Sequence, residues 1–187
     1  MPTRRYVALY RNVNLGQRTS PTGPQFIEAF TAAGAREVET IMTNGTIVYT
    51  ADSLARARAI PLAVAPVLHK LTRLTEPAFV RSLAQLTKLV ATNPFAGRDL
   101  TGVYECCFTP LPDRLAARLK PRLPLVSTRG DCEVFAVIGA DALGLTRQVN
   151  GKAGYPTKLI ETLFDQPVTT RNWNTIVRLI RRTEDGR

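Results

Sequence analysis

The chain has 187 residues, of which 44% are hydrophobic and 21% charged, a composition typical of a folded globular protein that excludes disorder as its main state. Lysine and arginine number 25 against 15 acidic residues, so the formal net charge is +10. Such an excess favours a polyanionic partner, either nucleic acid or a phosphorylated small molecule, and it also fits an evenly spread charge that only maintains solubility.

The cysteines and the single histidine exclude several kinds of site. Cys106, Cys107 and Cys132 are an odd number with two adjacent, which does not make a disulfide framework, and His69 alone leaves too few ligands for zinc. We therefore predict no metal and no cofactor, and we expect Cys106 and Cys107 to be buried thiols. The apolar runs at residues 6–10 and 60–68 are too short for a signal peptide or a membrane span, so we predict a cytoplasmic protein with no membrane association.

The first half of the chain alternates strand and helix patterns. Asn44-Gly45 is a hairpin signal because both residues tolerate positive φ, and Gly34 ends the first helical stripe. A second helix is expected to begin at Pro61, after a loop at residues 52–59, with His69 on its outer face. The predicted strands are residues 6–10, 37–42, 47–49 and 78–80, and the predicted helices are residues 26–33, 61–74 and 82–91.

The second half shows the same order and adds a closing helix. Its predicted strands are residues 103–109, 123–127, 133–138 and 167–168, and its predicted helices are residues 112–119, 157–164 and 173–182. We therefore predict an α+β fold of two ferredoxin-like (βαββαβ) subdomains packed together, plus a C-terminal helix. The subdomains are expected at residues 1–82 and 101–187, with a linking helix and loop at residues 83–100.

Two polar clusters are the candidates for a ligand site, because no recognisable catalytic signature occurs and enzyme activity stays an open question. Arginine and asparagine side chains suit recognition of phosphate, carboxylate or base edges, and tryptophan can stack on a ring. The same residues also fit a structural role in capping the last helix, anchoring it to the core and fixing turns. The first cluster is Arg11, Asn12 and Asn14, and the second is Arg171, Asn172, Trp173 and Asn174.

Several segments resemble those of a bacterial family. Residues 6–16 are similar to its opening motif Y-V-A-L-L-R-G-I-N-V-G, and residues 43–49 to its hairpin Q-S-G-N-V-V-F. Residues 79–82 and 93–95 match its V-R-S and N-P-F segments, and residues 169–175 reproduce its signature T-T-R-N-W-N-T. Across nearly the whole chain, the sequence resembles the family known as domain of unknown function 1697 (DUF1697). The resemblance implies a two-subdomain α+β fold with ferredoxin-like halves, and it implies no particular activity, substrate or cofactor.

The chain departs from the family motifs in the first loop and in the hairpin. Asn12 stands where the opening motif has glycine, and Asn44 and Thr46 replace the serine and asparagine around Gly45. Asparagine tolerates a positive φ, but its side chain obstructs a close approach of the backbone. The shape of the first loop is therefore expected to differ from that of relatives.

Three functions fit these observations. The first is a binding module for RNA or another phosphate-rich partner, favoured by the charge and by sheets that can present an open face. The second is a small-molecule binding protein or an enzyme of unassigned class, with its site in the cleft between the subdomains. The third is a protein-interaction or structural role, which an exposed apolar face on the last helix would favour.

Overall fold

A computed structural model of the protein describes residues 4–185, which divide into a first compact unit ending at Leu86 and a second beginning at Thr87. We call them unit 1 and unit 2. The described residues form six α-helices and two antiparallel sheets, so the predicted α+β class is confirmed. None of the helices in this part of the chain combines the length and apolarity needed to cross a bilayer.

Unit 1 is built on a four-stranded sheet in the order β2-β3-β1-β4, in which all neighbours are antiparallel. Strands β1 and β2 therefore run parallel to each other, with β3 between them. The predicted order of elements in this half is confirmed. The elements are β1 (Arg4–Tyr10), α1 (Gly23–Ala32), β2 (Arg36–Ile41), β3 (Thr46–Ala51), α2 (Leu54–Thr72), β4 (Ala78–Ser82) and the start of α3 (Leu83–Ala91).

Helix α2 begins well before the predicted position, and the loop predicted at residues 52–59 is wrong. Ser53 caps the helix, because its Oγ accepts a hydrogen bond from the backbone N–H of Arg56 at 3.1 Å. The alternating alanine and arginine residues that follow have high helix propensity, and the helix continues through Pro61 and Pro66. His69 is exposed, as predicted.

Both faces of the two central strands of the unit 1 sheet, β1 and β3, are buried, whereas the edge strand β2 is largely exposed. Tyr10 lies on the face that carries α1, with its ring centroid 5.0 Å from that of Phe26. On the opposite face, Val7, Leu9 and Val48 have no exposed surface. The open sheet face expected for an RNA-binding module is therefore absent from β1 and β3 in the described structure.

Unit 2 contains one long strand that the sequence analysis missed, β8. Its sheet has the order β10-β5-β8-β7-β6, and β9 pairs with β8. The last strand of this sheet lies at Arg171–Asn172, so the strand predicted at residues 167–168 is wrong. The elements are β5 (Val103–Pro110), α4 (Asp113–Leu119), a 3-10 helix (Lys120–Arg122), β6 (Leu125–Val126), β7 (Cys132–Ile138), β8 (Asp141–Val149), β9 (Lys152–Ala153), α5 (Pro156–Phe164), β10 (Arg171–Asn172) and α6 (Trp173–Asp185).

The core of unit 2 lies between its sheet and helices α4 and α5, and it includes Leu115, Val134 and Ile160. Phe108 and Leu143, which pair across β5 and β8, are also fully buried. The apolar face of α6 is buried as well, so it offers no support for the predicted interaction role. Its buried members are Trp173, Ile176, Leu179 and Ile180.

All three cysteines are free. Cys107 is buried as predicted, and Cys132 is buried too, whereas Cys106 is only half-buried. Burial raises the pKa of the Cys132 thiol to about 12, and it also raises the pKa values of Cys106 and Cys107. The thiolate, which is the reactive form, is therefore disfavoured at all three positions.

Candidate functional site

The loop after β1 is held to the segment before β4 by Glu76. Nη1 of Arg11 lies 2.7 Å from both carboxylate oxygens of Glu76, and Nδ2 of Asn12 donates to Oε1 at 2.9 Å. The Arg11 and Glu76 side chains are 22% and 25% exposed, so solvent screens the pair only in part. The backbone N–H of Arg11 also donates to the carbonyl of Pro77 at 3.0 Å. Two of the predicted ligand residues thus fix the loop.

The same loop packs against the β2–β3 hairpin at Gly45. The backbone N–H of Tyr10 donates to the carbonyl of Gly45 at 2.9 Å, and that of Leu15 donates to the carbonyl of Thr43 at 2.6 Å. Gly45 has a φ of +70°, and a Cβ placed on it would lie 2.7 Å from Cβ of Val13. Because neither the φ nor the contact suits a larger residue, glycine is required here. The two segments form one block of unit 1.

Asn14, like Asn12, is exposed to solvent, whereas Arg11 is half-buried. Its backbone N–H donates to Oγ of Ser20 at 3.1 Å, and its carbonyl accepts from the N–H of Gln17 at 3.1 Å. Within residues 4–185 the side-chain amide of Asn14 makes no hydrogen bond. The side chain of Asn14 is therefore left to contact a ligand.

In the second cluster, Arg171 lies inside unit 2. It belongs to β10, where it pairs with Phe108 of β5, and it is buried. Its Nη1 donates to Oγ1 of Thr169 at 2.8 Å and to the carbonyl of Thr170 at 3.1 Å. Burial lowers the pKa of the Arg171 guanidinium to about 10, because the charged form loses hydration. These contacts tie Arg171 to the chain immediately before it.

Asn172 caps α6 and Trp173 anchors it. The Oδ1 of Asn172 accepts a hydrogen bond from the backbone N–H of Asn174 at 2.8 Å, which satisfies one of the first amides of the helix. Trp173 is buried against Phe95, with ring centroids 5.2 Å apart. The Asn174 side chain is exposed and makes no hydrogen bond in the described structure. The structural interpretation of Asn172 and Trp173 is therefore supported by their contacts.

The aromatic contact at Trp173 extends across unit 2. Phe95 also packs edge-on against Phe135 of β7, with ring centroids 5.4 Å apart. On that ring lies the guanidinium of Arg98, whose Cζ is 3.7 Å from the centroid. The segment 93–98 is thereby fixed between β7 and α6, since it contributes a ring and a cation to the same stack.

Helix α4 and the 3-10 helix after it carry a set of exposed cations that the sequence analysis missed. Arg114, Arg118 and Arg122 follow one another at intervals of four residues, and all three are exposed. We call these three residues the α4 arginine stripe. The guanidinium carbons of Arg118 and Arg122 lie 5.1 and 5.2 Å from the ring centroid of Phe164. The stripe therefore lies on one side of the segment.

The charge of the stripe is not balanced locally. Residues 113–122 contain four cations, the stripe and Lys120, against the single acid Asp113, a net charge of 4 − 1 = +3. None of the four cations forms an ion pair within residues 4–185. The side chains of Leu115 and Leu119 are buried on the other side, which turns the stripe outwards. The four-residue spacing of the arginines is the signal that predicts the stripe, because no two cations are adjacent within residues 113–122.

The comparisons with known proteins decide the family. The model of a family described as "Protein of unknown function (DUF1697)" matches residues 3–139. The chain belongs to the DUF1697 family. A solved structure described as "conserved bacterial protein SP0830 from Streptococcus pneumoniae" is similar in fold, with a TM-score of 0.69 and 18% sequence identity over 96% of this chain and 98% of that chain. No curated protein matches the chain.

For this DUF1697 protein, the segments that resemble the family motifs fall into two structural blocks. The first loop and the hairpin form one block in unit 1, and residues 93–95 contact residues 169–175 in unit 2 through Phe95 and Trp173. The second of these segments lies beyond the matched stretch, which ends at residue 139. Asn12 has a φ of +49°, so the asparagine at the family's glycine position adopts the conformation that glycine would allow.

Proposed function

We propose that the protein binds a phosphate-rich partner, RNA in the first place, through the α4 arginine stripe. The observation that carries the proposal is the row formed by Arg114, Arg118 and Arg122: three exposed guanidinium groups at helical spacing with no ion-pair partner within residues 4–185. Guanidinium groups bind phosphate oxygens in a bidentate manner and stay charged at any physiological pH. A row of three can therefore follow successive phosphates of one strand.

The contact with Phe164 supports this proposal by ordering the stripe. Two guanidinium groups over one ring each gain a cation–π attraction, which is about 0.5–1 kcal/mol at an exposed site. The Phe164 ring itself is buried beneath them. Side chains that are already oriented lose less rotational freedom when they bind, so the phosphate contacts cost less entropy.

The stripe provides contacts to phosphate and lacks a surface for stacking bases. Phe164 is the ring in contact with it, and the arginines cover that ring. Base stacking by an exposed aromatic residue is a general means by which proteins hold single strands. Because the described residues place no exposed ring in the stripe, we expect binding to follow the phosphate backbone and to depend little on base sequence.

We also infer that each unit is a variant of the ferredoxin-like arrangement. In unit 1 this is supported by the strand order β2-β3-β1-β4, with α1 connecting β1 to β2 and α2 connecting β3 to β4. In unit 2 the order β10-β5-β8-β7 repeats it, with β6 added at the edge.

RNA-binding domains with such sheets bind bases on the open sheet face. Since the sheet residues Leu9 and Phe108 are buried, the proposed contact with RNA is made by a helix surface and goes to phosphates instead of bases.

The experiment that tests the proposal is fluorescence anisotropy with labelled single-stranded RNA, using one uridine oligomer and one of mixed sequence at two salt concentrations, about 50 and about 200 mM. The test protein replaces Arg114, Arg118 and Arg122 by alanine. The matched control replaces Arg178, Arg181 and Arg182 of α6, which are also exposed, so that both proteins lose three positive charges.

Wild type and the α6 variant are expected to bind both RNAs at low salt with similar affinity. For a single strand, the logarithm of affinity falls against that of salt with a slope of roughly −0.7 per phosphate contact, so three contacts give about −2. The stripe variant should lose most of that slope and at least tenfold in affinity. Equal losses in the two variants would show that only the total charge matters, and absence of binding at low salt would reject the proposal outright.

A further inference from the structure

A pocket of about 430 Å³ lies in unit 2 between the turn at residues 127–132 and one face of α5. This volume is within the range of small-molecule sites, which are about 300–1,000 Å³. None of the α4 arginine stripe lines the pocket. The residues that decide its chemistry are Arg129, Asp131, Tyr155, Lys158, Leu159 and Leu163.

One wall of the pocket is an apolar row of three residues. Leu159 and Leu163 lie four residues apart on one side of α5, and Tyr155, the N-cap residue of that helix, lines the pocket with them. Leu159 packs partly into the core of unit 2, whereas Tyr155 and Leu163 are 40% and 44% exposed. An apolar ligand that covers them would remove this surface from water, which is favourable.

The opposite wall is a turn fixed by Asp131. Its Oδ1 accepts a hydrogen bond from Oγ of Ser127 at 2.7 Å, and its Oδ2 lies 2.9 Å from Nη2 of Arg129. Gly154 lies directly against this carboxylate, because a Cβ there would be 2.6 Å from Oδ1 of Asp131. The turn and the chain before α5 are therefore held together, and the wall is formed before any ligand arrives.

The exposed charged side chains of the pocket, Arg129 and Lys158, are both positive. The Asp131 side chain is 7% exposed and already paired, whereas that of Arg129 is 52% exposed. Lys158 is exposed on α5, and its ammonium group has no ion-pair partner within residues 4–185. A cationic ligand would meet Arg129 and Lys158 before it reached Asp131. An anionic group, in contrast, would meet the ammonium group of Lys158 and the exposed part of the Arg129 guanidinium, whose Nη2 is already engaged by Asp131 and by the carbonyls of Val149 and Lys152.

We propose that this pocket binds a small organic carboxylate with an apolar body. The carboxylate pairs with Lys158 and with the exposed side of the Arg129 guanidinium, while the body covers Tyr155, Leu159 and Leu163. Charge complementarity selects the head group, and the apolar row selects the rest of the molecule. The site is separate from the α4 arginine stripe in its residues and in the chemistry of its ligand.

The experiment is a ¹H–¹⁵N NMR titration of the full chain with octanoate and with 3-phenylpropionate, each compared with its neutral amide. The first pair of variants is Lys158→Ala and Lys88→Ala, since Lys88 is an exposed lysine of unit 2 that does not line the pocket. The second pair is Leu163→Ser and Leu100→Ser, whose leucines are 44% and 43% exposed. In each pair the second variant makes the same substitution away from the pocket.

The acids are expected to shift the amide signals of Gly154, Lys158 and Leu163 and to bind about fivefold more tightly than the amides, as one favourable charge contact of about 1 kcal/mol implies. Lys158→Ala and Leu163→Ser should each weaken binding about fivefold, and the two controls should not. Preference for octanoate or for 3-phenylpropionate assigns an aliphatic or an aromatic body. The proposal is overturned if no signal of the pocket shifts, if amides bind as tightly as acids, or if test and control variants lose affinity equally.

Discussion

The indole ring of Trp173 packs on the phenyl ring of Phe95, with centroids 5.2 Å apart and planes inclined at 56°. This contact joins the Asn93-Pro94-Phe95 segment to the start of α6. Both segments were identified in the sequence as family motifs. Their contact gives the tryptophan motif a structural role that is independent of any ligand.

Replacing Trp173 by alanine is expected to destabilise the protein by about 3–5 kcal/mol, the usual cost of removing a buried tryptophan. The loss has two sources, the apolar surface of the indole and the ring contact with Phe95. Urea unfolding followed by circular dichroism measures the change. Tyr104→Ala is the control, because Tyr104 is also an aromatic residue of unit 2 but is 51% exposed. If both variants unfold at the same urea concentration, Trp173 is not an anchor of the core.

Gly45→Ala is expected to cost more stability than Gly16→Ala. Both glycines belong to unit 1 and have a positive φ, +70° and +78°, so both variants incur about 1–2 kcal/mol for the left-handed conformation. A Cβ on Gly45 would in addition meet Cβ of Val13 at 2.7 Å, whereas a Cβ on Gly16 meets no atom within 4 Å. We expect about 1–3 kcal/mol of further loss at Gly45 from this overpacking, measured by thermal unfolding. Equal melting temperatures would contradict the packing of the loop on the hairpin.

Thiol reactivity should separate Cys106 from the other two cysteines. Cys106 is half-buried and Cys107 and Cys132 are buried, so a disulfide reagent at neutral pH is expected to modify Cys106 slowly and the others only after unfolding. Cys106→Ser should abolish the reaction of the native protein. Rapid modification of three thiols without denaturant would contradict the burial of Cys107 and Cys132.

The raised pKa of Cys132 also links stability to pH. Its thiol titrates at about 12 in the folded protein against an ordinary value of 9.0, so the folded state favours the neutral form. This contribution is fully present below pH 9.0 and is lost as the pH rises towards 12. Cys132→Ala should therefore lose less stability than wild type over that interval, as urea unfolding at several pH values would show.

The sequence predicted most elements of unit 1 and failed at β8 of unit 2 for a physical reason. Gly144 in the middle of β8 interrupts the alternation that identifies a strand. In the structure a Cβ on Gly144 would lie 2.6 Å from the carbonyl oxygen of Glu133 in β7, so the strand needs glycine there. The register of β7 and β8 also shifts between Val134 and Ala136. A tertiary contact determines this residue, and a local pattern does not reveal it.

The candidate sites were also only partly predictable from the sequence. The positions of Arg11 and Arg171 near element ends were evident in the sequence. The role of Arg11, however, depends on Glu76, 65 residues away, and Arg171 is buried in a strand that pairs with the distant β5. The α4 arginine stripe was present as a four-residue spacing and was missed because only runs of adjacent cations were considered. The pocket beside α5 depends on the approach of Gly154 to Asp131, which local sequence does not show.

The pairing of β10 with β5 has a consequence for the order in which the chain folds during its synthesis. All strands of unit 1 precede Leu86, so its sheet can form while the ribosome is still translating the second half. The sheet of unit 2 gains its edge strand only when Arg171 and Asn172 have been synthesised. Trp173, which packs on Phe95, follows directly after them. Until these residues are made, Phe95 lacks its contact with Trp173 and one edge of β5 lacks its paired strand. Unit 2 therefore matures late in translation, and a stalled chain would expose that edge to chaperones or to aggregation.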